Sequence, residues 1–180
     1  MSAPALVSAD ELLYLHLPDK RVELLRGVVV VREPAGGAHG IVTVNLTLRL
    51  GVHAEQTRAG RLFAAETGFT LARGPDTVRA ADIAFVSRDR LPDPVPVGYP
   101  DLAPDLAVEV RSPGDRAGDV LAKVADWLTA GTRLVWVVDP ERRLARVYRA
   151  DGTESVVTEH EALDGEDVVP GFSCELAAIL

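Results

Sequence analysis

PDLAPDLAVEVRSPGDRAGDVLAKVADWLTAGTRLVWVVDP, residues 100–140, reads as strand, loop, helix and strand. Within 105–111 the two-residue period puts Leu106, Val108 and Val110 on one strand face and Ala107, Glu109 and Arg111 on the other. SPGDRAGD supplies loop and helix-start residues. Val120, Leu121, Val124, Trp127 and Leu128 then form a helical apolar stripe that ends at Gly131. The run LVWVV is apolar throughout, as in a strand buried on both faces. Strand, helix and buried strand make a βαβ unit with parallel strands and a right-handed crossover. Glu109 lies in the middle of its first apolar strand, where a carboxylate needs a partner.

Outward from this unit, Asp139-Pro140 turns the chain into an antiparallel strand at Leu144–Arg149, and CELAAIL reads as a final helical turn. Upstream, LPDPVPVGYPDLAP holds five prolines and must be a surface loop. RLFAAE, GFTLA and VRAADIAFVS read as successive strands, the last interrupted by Asp82. Near the start, Ser8 and Glu11 form a capping-box pattern for a short helix that Pro18 stops. RVELLRGVVVVR is expected to be a hairpin about Gly27, and PAGGAHG a loop. From Ile41 to Val52, Val42, Val44, Leu46, Leu48 and Leu50 alternate with polar residues, and this periodicity taken alone favours a strand.

The 180 residues are enough for one core, so a single domain spanning 1–180 is expected. The composition is 47% hydrophobic and 5% aromatic, which indicates a globular chain with an aliphatic core. Nineteen Lys and Arg against 27 Asp and Glu give a net charge of −8, which weighs against nucleic-acid binding through a broad basic face. Cys174 is the only cysteine and suits a reducing compartment. The N-terminal stretch lacks a basic region followed by an apolar one, and no apolar run is long enough to span a bilayer. A cytoplasmic protein with no membrane partner is the expectation.

Glu109 and Arg111 lie about 6.6 Å apart along one strand face, a spacing at which they could flank a phosphate or a metal-bound water. A solvent-facing Glu and Arg on a half-exposed strand would give the same pattern. Asp105, preceded by Pro104, is no partner for Glu109, because four strand residues separate their carboxylates by about 13 Å. Asp82 is the better candidate, with an ordinary strand-end aspartate as the alternative. Lys123 lies about 40° from Trp127 on the helical wheel, so its stem can run over the apolar surface toward the sheet. The alternative is a solvated lysine paired with Asp119 or Asp126. His16, His39, His53 and His160 show no metal-ligand spacing.

VELLRGVVVV, the following AHG, ADIAFVSRDRLP, PDLAVEVRSPGDRAGDVLAKVADWLTAG, LVWVVDPERRLARVYR and LDGEDVVPGF occur in order along nearly the whole chain. In these segments the chain resembles the Uma-two family of the PD-(D/E)XK nuclease superfamily. The resemblance implies an α/β restriction-endonuclease-like core: a mixed sheet flanked by helices, with an N-terminal helix and hairpin. It implies that Asp82 and Glu109 bind Mg²⁺, with Mn²⁺ able to substitute, and that a nearby lysine completes the catalytic set. Ala81 replaces the proline of the signature, which does no chemistry. Arg111 occupies the motif-lysine position and cannot serve as a proton-transferring base, although it could bind phosphate. The lysine role is then expected at Lys123, with Glu23 and His39 lining the site. The resemblance further implies that Ile41–Val52 is helical. DNA is the implied substrate, a homodimer an implied assembly, and metal-dependent phosphodiester hydrolysis the implied reaction. A nuclease-fold binding or assembly module without catalysis is the alternative, favoured by the net charge of −8 and the missing motif lysine.

Overall fold

The structure, a computed structural model, describes residues 6–15 and 21–180. In chain order its elements are α1 (Ala9–Tyr14), β1 (Arg21–Leu25), β2 (Val28–Arg32), α2 (Gly37–Thr57), β3 (Gly60–Ala64), β4 (Gly68–Ala72), β5 (Thr77–Ala80) and β6 (Ile83–Ser87). They continue with β7 (Leu106–Val110), α3 (Ala117–Thr129), β8 (Leu134–Asp139), β9 (Leu144–Arg149), β10 (Glu154–Thr158), β11 (Ala162–Asp164), β12 (Ser173–Glu175) and a 3₁₀ turn at Leu176–Ala178. Ser8 caps α1 through the expected capping box with Glu11. The stop expected at Pro18, and His16, lie outside the described residues.

The central sheet has six strands in the order β10-β9-β8-β7-β6-β3. It is mixed: β7 and β8 are parallel, joined by α3, and the other neighbours are antiparallel. Helix α3 covers one face, where Val124 and Trp127 pack with Ala84, Ala107, Val135 and Val137. Helix α2 covers the other, where Val42, Leu46 and Leu50 pack with Ile83, Leu106, Val108 and Trp136. Burying a Val or Leu side chain in such a layer stabilises the fold by roughly 1.5–3 kcal/mol. Because helices lie on both faces, every residue of β7 and β8 is buried. The half-exposed strand considered for Glu109 is therefore not what forms: Glu109 is 6% exposed.

Ile41–Val52 is helical, against its alternation. The core takes Val42, Leu46, Leu50 and Ala54, every fourth residue. Val44 and Leu48, which completed the alternating pattern, are 57% and 62% exposed on the outer face with Ile41 and Val52. The loop expected at PAGGAHG is also shorter than its glycines suggested, since α2 begins at Gly37 and contains His39.

A smaller sheet, ordered β2-β1-β5-β4, packs against α3, with Phe69 of β4 edge-on to Trp127. The expected β1–β2 hairpin turns through Arg26 and Gly27, both at positive φ (48° and 78°), and glycine tolerates that conformation without strain. β5 ends at Ala80 and β6 begins at Ile83 in the other sheet, so Ala81 and Asp82 carry the chain between sheets. Among the described residues, no helix is long and apolar enough to cross a membrane.

Candidate active site

The crossing point fixes Asp82. Its N–H donates to Val108 O at 3.0 Å, and Val110 N–H donates to Asp82 Oδ2 at 2.7 Å. The carboxylate thus holds the last ladder position of β7, one residue past Glu109. His39, in the first turn of α2, places Nε2 3.1 Å from the same Oδ2.

Glu109 points to the α3 face. Trp127 Nε1–H donates to its Oε1 at 2.9 Å, and Lys123 Nζ donates to its Oε2 at 2.8 Å. Lys123 and Trp127 are one helical turn apart, so α3 presents an ammonium and an indole to one carboxylate. Lys123 Nζ also lies 3.5 Å from Oε1 of Glu23 on β1. The pairing with Asp119 or Asp126 considered for Lys123 does not form. Instead Asp126 accepts from Arg79 Nε at 2.9 Å and Nη2 at 2.6 Å, while Arg79 Nη1 donates to Glu23 Oε2 at 2.9 Å. Arg32 completes the ring around Glu23 at 2.9 Å, and Ala80 N–H donates to Glu23 Oε1 at 3.2 Å.

Electrostatics follow from this layout. Burial is the largest influence on Glu109; together with the Asp82 carboxylate it outweighs Lys123 and pushes the carboxyl above its usual range. Burial works against the Lys123 ammonium, but Glu109 and Glu23 outweigh it and hold its pKa above the ordinary lysine value. Burial also opposes ionisation of Glu23, yet Lys123, Arg79, Arg32 and the Ala80 N–H together keep that carboxyl below its usual range.

Asp82, Glu109, Lys123, Glu23, His39 and Arg111 all line one cavity of about 730 Å³. Arg111 is committed elsewhere: Nη1 donates to Asp139 Oδ2 at 2.6 Å and Nη2 to Asp115 O at 3.0 Å, and its buried Nε has no partner. Asp105, at the far end of β7, binds Arg90 and the Ser87 N–H, away from Glu109. Arg79 and the polar use of Trp127 escaped the sequence reading. Arg79 carried the signal that exposed Glu109, a charge inside an apolar strand; Trp127 was read only as core.

Mg²⁺ is commonly held by one or two carboxylates, with water and substrate phosphate completing its shell. Asp82 and Glu109 supply that number, and Asp82 Oδ1 accepts no hydrogen bond from the described residues. No group of three or more His, Cys, Asp and Glu side chains suited to a metal forms among the described residues. The donor set fits a two-carboxylate magnesium site and does not fit a closed zinc site.

The sequence profile of the Uma2 family, described as "Putative restriction endonuclease", matches residues 9–177. The chain belongs to the Uma2 family. No curated protein matches it. Among solved structures, a putative nuclease belonging to DUF820 from Anabaena variabilis superposes with a TM-score of 0.83 at 19% identity, covering 96% of this chain and 97% of that one. At that identity the likeness shows the fold alone: the Uma2 chain and that nuclease share a mixed sheet flanked by helices.

Proposed function

We propose that this Uma2 chain is an endonuclease that hydrolyses DNA phosphodiester bonds with a divalent metal. The observation that carries the reading is the convergence of Asp82, Glu109 and Lys123 on one cavity. Asp82 and Glu109 would hold Mg²⁺, or Mn²⁺ in its place. When bound, the ion would supply Lewis-acid polarisation of the scissile phosphate and lower the pKa of the attacking water. Lys123 keeps its proton, so its role is that of a fixed cation, aimed by Glu109 and Glu23 at the negative charge that grows on the phosphate. The Trp127 indole locks the Glu109 carboxylate, and the Val110 N–H with His39 locks Asp82, so neither must reorganise during reaction. Arg111 lines the same cavity, but its guanidinium is held by Asp139 and the Asp115 carbonyl, so it would have to leave Asp139 to give phosphate a second cation.

The test is cleavage of supercoiled and linear DNA by purified protein with Mg²⁺ or Mn²⁺, compared with Asp82→Ala and Glu109→Ala. Each substitution is expected to abolish cleavage; activity that survives both would sink the proposal. A second reading, a binding module on the nuclease fold, draws on the net charge of −8 and on a cavity rich in carboxylates. Thermal shift separates the two. Millimolar Mg²⁺ should raise the melting temperature of wild type and not of Glu109→Ala under the nuclease reading, and neither protein under the other.

A further inference from the structure

A second concavity, of about 460 Å³, lies between the end of α2, the start of β3 and the end of β6. Arg58, Arg61 and Arg88 line it, together with Glu55. Local structure brings the three arginines together. Arg58 is the C-cap of α2 in the left-handed region, at φ 56°. The chain then enters β3 through Gly60, where a Cβ would lie 2.1 Å from Val86 O, so glycine is required for the helix to fold back tightly onto β6. Arg61 pairs with Val86 in that register, and Arg88 N–H donates to Ala59 O at 2.8 Å.

No hydrogen bond or ion pair to any described residue engages the side chains of Arg58, Arg61 or Arg88. By contrast Arg32, Arg73, Arg79, Arg90, Arg111, Arg133, Arg143 and Arg149 all reach carboxylates. In a chain of net charge −8, three exposed guanidinium groups share one concavity with a single carboxylate. Three like charges with one carboxylate among them still repel one another, and a polyanion relieves that repulsion.

We propose that this arginine cleft binds backbone phosphates of a nucleic-acid strand. The inference rests on the nuclease reading for the identity of the strand, and it deepens that reading by adding an anchor outside the cavity. Arg88 and Asp82 stand six residues apart at opposite ends of β6, about 20 Å along the strand. That distance corresponds to roughly six steps of B-form rise at 3.4 Å each. The cleft thereby resolves the conflict between an acidic chain and an anionic substrate: capture falls to a local basic site, away from the carboxylates that would hold metal.

The experiment is fluorescence anisotropy with labelled single- and double-stranded 16-mers in EDTA, across a salt series, using the full chain. Chelation removes hydrolysis from the measurement, so the outcome is independent of whether the protein cuts. The variant Arg58→Asn/Arg61→Gln/Arg88→Gln uses Asn at the positive-φ cap, which that residue tolerates. It should weaken binding at least tenfold and reduce the slope of log K against log salt by about 2 for single strands or about 2.7 for duplex, at 0.7 and 0.9 per phosphate contact. Lysine at all three positions should restore the slope. The control Arg142→Gln/Arg146→Gln, which removes exposed arginines elsewhere, should leave it unchanged. An unchanged slope in the triple variant, an equal loss in the control, or pyrophosphate competing at concentrations where the oligonucleotide binds each overturns the proposal. A reduced slope in a protein that never cleaves DNA sustains the anchor and rejects the nuclease reading.

Discussion

Arg79→Met should destabilise the protein by about 3 kcal/mol, the lower end of the cost of breaking a buried ion pair. The Arg79 side chain is 3% exposed and its partner Glu23 is 4% exposed, so truncation strands a carboxylate where water cannot reach it. Two features keep the penalty at that lower end. Glu23 retains Arg32 at 2.9 Å and Lys123 at 3.5 Å, and Asp126, 26% exposed, can turn to solvent. For a chain of 180 residues this corresponds to a fall in melting temperature of roughly 6–12 °C, at 2–4 °C per kcal/mol. Urea denaturation of wild type, Arg79→Met, Glu23→Gln and the double variant completes the cycle. Because each single variant leaves a buried charge without its closest partner in this pair, and the double variant removes both charges, the double should be more stable than the sum by at least about 1 kcal/mol. Additivity within about 0.5 kcal/mol would refute the idea that the network is held together as a buried electrostatic unit.

Leu46→Ala should cost about 2–5 kcal/mol, and Leu48→Ala less than about 0.5 kcal/mol, because Leu46 is fully buried and Leu48 is 62% exposed; equal losses by chemical denaturation would favour the strand periodicity over the helix. Gly60→Ala should fail to express as folded protein or lose several degrees in melting temperature, since its Cβ meets Val86 O and the Phe85 ring; a wild-type melting temperature would contradict that packing. Lys123→Met should abolish cleavage and lower stability by stranding Glu109 and Glu23, and Lys123→Arg should recover the stability more fully than the activity, read by urea denaturation beside the cleavage assay. Asp76 accepts from the Ala9 and Gly74 N–H groups, which hold its pKa below the usual 3.8. A depressed carboxyl stabilises the fold above its unfolded pKa and loses that contribution as pH falls through the folded value, so Asp76→Asn should flatten the acid limb of stability against pH below about 4; an unchanged limb would count against the bond to α1.

Much of this protein is legible in one dimension. The β7-α3-β8 unit declared itself through a period of two, a period near 3.6 and an unbroken apolar run, since those periods are imposed locally by backbone geometry. Glu109 was legible for the same reason, as a charge out of step with an apolar pattern; for Lys123 the helical wheel gave only a place about 40° from Trp127, equally open to a solvated lysine, and its role came from the family resemblance. What the sequence could not decide was anything set by which surfaces meet. Alternation in Ile41–Val52 misled because burial along α2 depends on where the sheet lies, and the sheet covers only the Val42, Leu46 and Leu50 side. Arg79 looked like any strand charge until β1 and α3 closed over it, bringing Glu23, 56 residues away, and Asp126, 47 residues away, onto one guanidinium. The same closure turned Lys123 from a surface lysine into a cation held by two carboxylates. Periodicity is a property of the chain and can be read from it; the pairing of distant charges exists only once the two larger sheets and two longer helices have packed.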